Sequence, residues 1–351
     1  MHRAAHARAV ERIVRLCGAH DDTRTLRLSL IDEIRRTVGF DAYAWLLTDP
    51  ETEVGCAPLA DVPWLTELPR QIRLKYLTSV NRWTRLDRAV AALRAATSGQ
   101  RELSLVWREM LAGYGVHDVA SLVFRDRFGC WAFLELWRID SGVEFIDAEV
   151  EFLTEIADPV TEALRRCQAR AFDEASSVVD RTGPVVLVLS PQLEVRAKTP
   201  ETDKYLRVLV PPDADREPIP AGAYNVAAQL LAVESGVDGH SPSARVQLAT
   251  GEWLTLRAAR IGDTVSADKR DIAVTIESAS PAERLGLYVR ACGLSSRETE
   301  LLSHLAMGAD TRHIAKMMFL SEHTVQDHLK SIFAKTRVRS RRTLLTRAIG
   351  H

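Results

Sequence analysis

The residues best suited to chemistry are polar side chains in a predicted helix between residues 322 and 336. At about 100° per residue, one face of this helix carries His323, Gln326, Asp327 and Lys330. Amide, carboxylate and ammonium groups are donors and acceptors of the kind that pair with base edges in a DNA groove. The pattern therefore predicts a helix that contacts bases in the major groove, with Gln326 suited to adenine, Asp327 to cytosine and Lys330 to guanine.

The opposite face of the same helix is apolar. Val325, Leu329, Ile332 and Phe333 lie together on it, so this face can pack against other helices while the polar face stays in solvent. Side chains that can bind phosphates flank the polar face and follow the helix. These predicted phosphate ligands are Thr324, Lys335, Arg337, Arg339, Arg341 and Arg342.

Start and stop signals divide the surrounding sequence into four short helices. The signals are a capping box at Ser295 and Glu298, a stop at Gly308, caps at Thr311 and Ser321, and a fourth helix over 341–349. We expect Glu298 to support the helix fold rather than to contact DNA. Short helices joined by short turns are typical of a helix-turn-helix module.

A set of residues in this segment has a family-specific pattern. The set comprises Leu294, Arg297, Glu298, Glu300, Leu302, Gly308, Thr311, Ile314, Ala315, Ser321, Thr324, Val325, His328, Lys335, Val338 and Arg341. On these residues the segment resembles the LuxR-type helix-turn-helix family of bacterial transcription regulators. The resemblance implies a four-helix domain over 285–351 that binds double-stranded DNA, with the third helix in the major groove and the fourth supporting a homodimer. His313, Gln326 and Asp327 depart from the residues usual in the family, so the preferred DNA sequence does not carry over.

The charge of the chain is unevenly distributed. The formal net charge of the 351 residues is -1, yet residues 291–351 hold ten basic and five acidic residues, a net charge of +5. Residues 1–290 therefore sum to -6. A basic end on an acidic body is typical of a chain that binds nucleic acid through that end.

Residues 1–290 are long enough for two further domains. Over 1–170 the predicted order is helices, a strand, a hairpin and a long helix, and proline around Pro58 predicts loop and short helix. This α+β order resembles a GAF-type sensory domain. Over 178–278, we predict strands from residue 184 onward, helices over 202–209 and 223–234, and a proline- and aspartate-rich loop at 211–220. This order resembles an α+β PAS-type domain, and 279–290 is the predicted linker. The expected fold class is thus multidomain: GAF-like, PAS-like and all-α LuxR-type.

Aromatic residues of the first segment are candidates for contact with an unidentified small-molecule ligand. Tyr43, Trp45 and Trp131 lie in predicted strands, where aromatic side chains contribute to the core more often than they line a pocket. A domain that responds to acyl-homoserine lactones is an alternative. In that family the sensory domain precedes the DNA-binding module directly, whereas here residues 178–278 intervene.

Other classes of function find little support in the sequence. The chain has no GxSxG or HExxH motif and no glycine–lysine pair of a phosphate-binding loop, so we predict no enzyme, cofactor or metal. An enzymatic activity of the first segment is the alternative from a different class of function. The five cysteines include no CxxC, and no apolar run approaches the length of a membrane span. We expect the protein to be cytoplasmic.

Overall fold

Two five-stranded antiparallel sheets and a C-terminal group of helices form the architecture. The computed structural model describes residues 3–139, 142–173, 184–209, 220–248, 251–262 and 269–350. Helices of these residues are α1 (Arg3–Ala19), α2 (Thr23–Thr37), α3 (Leu68–Leu77), α4 (Leu93–Ala96), α5 (Leu105–Glu109), α6 (Asp147–Arg170), α7 (Thr202–Leu209), α8 (Ala221–Glu234), α9 (Pro281–Ala291), α10 (Ser296–Ala306), α11 (Thr311–Met317), α12 (Glu322–Thr336) and α13 (Arg341–Ile349). Strands are β1 (Ala42–Thr48), β2 (Gly55–Asp61), β3 (Val90–Ala92), β4 (Val116–Asp126), β5 (Gly129–Ile139), β6 (Val185–Leu189), β7 (Val195–Lys198), β8 (Ser243–Gln247), β9 (Trp253–Arg260) and β10 (Ile272–Ser278).

The first sheet has the strand order β2-β1-β5-β4-β3. The predicted hairpin is confirmed as β4 and β5, and β1 pairs with β5 so that Trp45 faces Leu134. Because side chains alternate along a strand, the sheet has two packed faces. Trp45 lies on the face that packs with α1, α2 and α6, whereas Trp137 lies on the other face with Leu74 of α3 and Val106 of α5.

The two edge strands of this sheet, β2 and β3, were not predicted from the sequence. The proline-punctuated stretch predicted as loop and short helix contains β2, with Pro58 inside the strand. Proline cannot donate a ladder hydrogen bond, but an edge strand tolerates it because one side of that strand is unpaired. At the opposite edge, β3 is only three residues long, too short for an alternation pattern.

The second sheet has the order β7-β6-β10-β9-β8 and confirms the strands predicted after residue 184. The predicted helices at 202–209 and 223–234 are also present, the latter beginning at Ala221. In α8, buried small side chains such as Ala223 and Ala227 allow close packing on β9. Of the predicted loop at 211–220, residues 211–219 lie outside the described residues, as does 174–183, the region of the expected boundary between the first two segments.

Buried ion pairs join the two sheets. Nε and Nη2 of Arg245 donate to the two carboxylate oxygens of Asp49 at 2.6 and 2.7 Å, and both side chains are buried. Nε and Nη2 of Arg82 donate to one oxygen of Asp238 at 2.8 and 2.6 Å. Burial opposes ionisation of Asp49, but the hydrogen bonds from Arg245 outweigh it and lower the pKa of that carboxyl. Charges paired in this way hold the sheets in one arrangement, because separation would leave a buried charge uncompensated.

The segment expected as a linker, residues 279–290, contains helix α9. Ser280 caps it, accepting from the Glu283 amide at 3.3 Å while Glu283 accepts from the Ser280 amide at 2.8 Å. Leu287 and Tyr288 of this helix are buried. The linker is therefore an amphipathic helix that packs against both α6 and α13. No described helix is long and apolar enough to cross a membrane.

Candidate nucleic-acid interface

Side-chain caps begin each helix from α10 to α13. The predicted capping box of α10 is confirmed, since Ser295 accepts from the Glu298 amide at 3.3 Å and Glu298 accepts from the Ser295 amide at 2.6 Å. The predicted cap of α11 is wrong by one residue. Asp310 is the cap, accepting from the His313 amide at 2.8 Å, and Thr311 is the first helical residue. A carboxylate at this position satisfies the free amides and suits the positive end of the helix.

The apolar face of α12 is buried as predicted. Val325, Leu329 and Ile332 are buried, and Phe333 is half-buried. They pack in the same core as Leu302 of α10 and the buried residues of α11. This packing fixes the rotation of α12 about its own axis, and thereby decides which side chains face solvent.

The four predicted base-contacting side chains all lie on the exposed face of α12. His323 is 85% exposed and Lys330 is 72% exposed, and Gln326 and Asp327 are exposed beside them. Nζ of Lys330 donates to Asp327 Oδ1 at 2.9 Å, and His323 Nε2 lies 3.5 Å from Oδ2. The hydrogen bond from Lys330 lowers the pKa of Asp327, so this carboxylate is an ionised acceptor at neutral pH. Such pairs on an exposed face are weak and can exchange for other partners.

The predicted phosphate ligands fall into two groups. Three already have a partner inside the domain: Thr324 with Ser321 at 2.8 Å, Lys335 with Glu298 at 2.6 Å, and Arg341 with Thr311 at 2.5 Å. The other three are exposed guanidinium groups that make no hydrogen bond or ion pair to the described part of the chain. These three are Arg337, Arg339 and Arg342.

Glu298 joins α10 to α12. Its buried carboxylate accepts from Ser331 Oγ and Lys335 Nζ, each at 2.6 Å. Burial alone would raise the pKa of Glu298, but these bonds, together with those from Ser295, lower it to about 2. The predicted role of Glu298 in the helix fold is confirmed. The pairing of Lys335 with Glu298 was not predicted, because a contact between residues 37 positions apart leaves no local pattern.

The helical domain packs against the front part of the chain through α9 and α13. Nη1 of Arg290 donates to the Phe128 carbonyl at 2.9 Å, and Arg347 pairs with Asp173 at 2.9 Å. The Phe172 ring meets Tyr288 edge-on with centroids 5.1 Å apart. These contacts lie away from the polar face of α12, which remains exposed.

The predicted ligand-contacting aromatics have packing roles. Trp45 is fully buried and stacks on Phe124 with ring centroids 5.3 Å apart. Tyr43 is buried beside Phe40, and Trp131 donates from Nε1 to Asp126 at 3.0 Å. Over the described ranges, no group of three or more His, Cys, Asp and Glu side chains is placed to hold a metal ion.

Comparison with known proteins gives a match confined to the C-terminal part. Residues 293–348 match the family of bacterial regulatory proteins called the luxR family, or GerE. A probable HTH-type transcriptional regulator of Streptomyces halstedii, GfsR, is 40% identical over 74 residues, 21% of this chain and 30% of that protein. The CsgBAC operon transcriptional regulatory protein of Escherichia coli K12 is 44% identical over 48 residues, 14% of this chain and 22% of that protein.

Among solved structures, SdiA of Escherichia coli matches over 97% of this chain and 96% of its own length, with 11% identity and a TM-score of 0.36. The chain spans less than a third of the curated relatives that it matches. The family match identifies residues 293–348 as a helix-turn-helix domain of the luxR family.

Proposed function

We propose that this chain is a sequence-specific transcription regulator that binds double-stranded DNA as a homodimer. The single observation that carries the proposal is the polar face of α12, exposed in full on a helix whose opposite face is buried. A helix fixed in this way has the width that the major groove of B-DNA admits. The relatives of residues 293–348 are named as transcriptional regulators.

In the proposed complex, α12 lies in the major groove and its exposed residues contact base edges. Gln326 pairs with adenine, Asp327 accepts from a cytosine amino group, and Lys330 donates to guanine, with His323 beside them. The Lys330–Asp327 pair of 2.9 Å opens on binding so that each group turns to its base. The exchange costs little because both groups are solvated in the free protein.

Phosphate contacts surround this face. Arg337, Arg339 and Arg342 are exposed and ready to bind the DNA backbone. Thr324, Lys335 and Arg341 also reach phosphates in the proposal, after their hydroxyl, ammonium and guanidinium groups shift from Ser321, Glu298 and Thr311. We rank these three below the free arginines, since each gives up an internal partner.

The front part of the chain modulates DNA binding in this proposal. We propose a GAF-like domain over 1–170, a PAS-like domain over 178–278 and the DNA-binding domain over 285–351, in a cytoplasmic protein. Two antiparallel five-stranded sheets with helices packed on them support the first two assignments. Helix α9 supports the modulation, because it contacts α6 of the first domain and α13 of the DNA-binding domain.

Dimerisation is assigned to α13. Its buried residues, Leu344 and Ala348, face the domain, while Thr343 and Thr346 stay exposed on its outer side. Two copies would place two α12 helices in successive major grooves, about 34–36 Å apart along the DNA.

The test compares two variants of the full chain on two DNA duplexes, one with a selected site and one with that site scrambled. Fluorescence anisotropy measures affinity over a range of salt concentrations. Arg342→Ala should weaken binding to both duplexes alike and reduce the salt slope by about 0.9 for each protomer, or about 1.8 for the dimer. Gln326→Ala should weaken the selected site by about 1–3 kcal/mol with little change on the scrambled duplex. Equal effects of the two variants on both duplexes would refute the assignment of α12 as the base-contacting helix.

A further inference from the structure

The turn between strands β1 and β2, residues 49–54, connects the first sheet to the rest of the chain. Asp49 and Glu51 of this turn both accept hydrogen bonds from Arg245 of β8, at 2.7 and 2.9 Å. Arg245 in turn donates to the Glu283 carbonyl of α9 at 3.1 Å. The position of the β1–β2 turn is therefore coupled to the second sheet and to the helix that leads into the DNA-binding domain.

His240, in the loop between α8 and β8, lies between two carboxylates. Its Nδ1 is 2.6 Å from Asp238 Oδ1 in the same loop, and its Nε2 is 4.0 Å from Glu53 Oε1 in the β1–β2 turn. A protonated imidazole donates from both nitrogens, whereas a neutral one has a single N–H and leaves a lone pair on the other nitrogen. The proton therefore decides whether His240 attracts Glu53 across the junction between the two sheets.

The other charges that face His240 each pair with one of these carboxylates. Arg82, in the loop after α3, donates to Asp238 from Nε and Nη2 at 2.8 and 2.6 Å, and Arg125 of β4 donates to Glu53 at 2.6 Å. Two arginines and two carboxylates cancel, so only the proton on His240 changes the net charge of the cluster. The hydrogen bond to Asp238 raises the pKa of His240, although burial and Arg82 oppose the charged form.

We propose that His240 is a pH-sensitive latch whose protonated ring holds Glu53 and thereby fixes the β1–β2 turn against the second sheet. Below about pH 6.5 the imidazolium bridges Asp238 and Glu53, and this bridge is lost as the pH rises through the raised pKa. Glu53 then favours opening of the turn, because its backbone has φ 56°, a conformation that is costly for a residue other than glycine.

The first test is an NMR titration of the full chain labelled with carbon-13 at the histidine rings. The His240 signal, identified by its absence in His240→Gln, should titrate above the ordinary histidine value of 6.5. Glu53→Gln should lower the midpoint, because the imidazolium loses one of its two carboxylates. The matched control is Glu67→Gln, which removes an acid paired with Arg70 at 3.1 Å and should leave the midpoint unchanged.

The second test measures opening of the β1–β2 turn by hydrogen exchange with mass spectrometry. The amides of Asp49 and Glu53 are hydrogen-bonded inside the turn, so their exchange, corrected for the intrinsic rate, reports its opening. The wild-type turn should open about 5-fold more often at about pH 9 than at about pH 6, the factor expected from one net hydrogen bond. In Glu53→Gln and in His240→Gln this ratio should fall to about 1, and Glu67→Gln should keep it.

The latch is overturned if His240 titrates at or below the ordinary value, or if the turn opens equally often at both pH values. It is also overturned if Glu53→Gln keeps the wild-type pH dependence. His240→Gln gives the same comparison if Glu53→Gln does not fold, because the His240 side chain is 35% exposed and its amide replacement remains solvated. An effect of the latch on DNA affinity rests on the proposed function, whereas both tests are made without DNA. Failure of the chain to bind DNA would thus count against the proposed function alone.

Discussion

Replacing Glu298 with glutamine should loosen α10 from α12 while leaving the base-contacting residues of α12, His323, Gln326, Asp327 and Lys330, unchanged. The carboxylate accepts from Ser331, Lys335 and the Ser295 amide, each at 2.6 Å. Glutamine keeps one acceptor oxygen but has no charge. The Lys335 ammonium then loses its counter-ion at the seam between the two helices.

The size of this effect follows from the pKa of Glu298. The pKa is lowered from 4.5 to about 2, which corresponds to at most about 3 kcal/mol in favour of the charged form. Lys335 is 38% exposed, so solvent screens part of the attraction. We therefore expect Glu298→Gln to lower the local free energy of unfolding by about 1–2 kcal/mol.

Hydrogen exchange with mass spectrometry measures this quantity in the full chain. Amides of α10 and α12 in Glu298→Gln should exchange about 5–30 times faster than in the wild type. Strand β1 in the same molecule is the internal reference and should not change. The matched control is Glu300→Gln, since among the described residues Glu300 pairs only with Arg297, on the surface at 2.9 Å, and its loss should shift exchange little.

The pH dependence of hydrogen exchange in α10 and α12 gives a second measurement of the Glu298 contact. A carboxylate with a lowered folded-state pKa stabilises the fold fully above about pH 4.5, and this contribution is lost as the pH falls toward about 2. The wild type should thus lose protection in α10 and α12 over this range, and Glu298→Gln should lose less. If Glu298→Gln behaved like Glu300→Gln at neutral pH, the reasoning would be refuted.

Three other predictions concern different parts of the chain. Arg337 ends α12 at φ 55°, so Arg337→Gly should leave the melting temperature equal or higher while lowering DNA affinity and the salt slope; a fall in both stability and affinity would contradict this. Asp49→Asn should lower the global free energy of unfolding by about 2–3 kcal/mol in urea titrations, because Arg245 loses its buried counter-ion and keeps only the half-exposed Glu51 at 2.9 Å; a loss under 1 kcal/mol would argue against a stabilising role of the Asp49–Arg245 pair. The hydrogen bond to Asp238 raises the pKa of His240. Protonated His240 therefore stabilises the fold below about pH 6.5, and this contribution is lost as the pH rises through the raised pKa. Asp238→Asn should remove this pH dependence from the melting temperature.

The C-terminal helices could be predicted closely because their signals are local. The caps at Ser295 and Ser321 and the stop at Gly308 involve residues within one turn of the helix ends. The apolar period of α12 fixes its buried face, and hence the exposed one. The one misplaced cap, Asp310 instead of Thr311, is a choice between two neighbouring residues that both serve as caps.

Features that depend on contacts between residues far apart in the chain could not be predicted from the sequence. Pro58 belongs to a strand only because β2 is an edge strand, which a linear pattern does not reveal. Trp45 and Ala44 are neighbours in sequence, yet Trp45 packs under α1, α2 and α6 while Ala44 lies on the opposite face of the sheet, because strand side chains alternate. The pairing of Glu298 with Lys335 likewise exists only after α10 and α12 have packed.

Selection of binding sites from a random duplex library tests the central claim most directly. The full chain should enrich a two-fold symmetric motif with half-sites about one helical turn apart. Gln326→Ala should change the base preference at one position of each half-site and leave the other positions intact. Absence of any enriched motif, or an identical motif from Gln326→Ala, would contradict the account that the exposed face of α12 recognises DNA sequence.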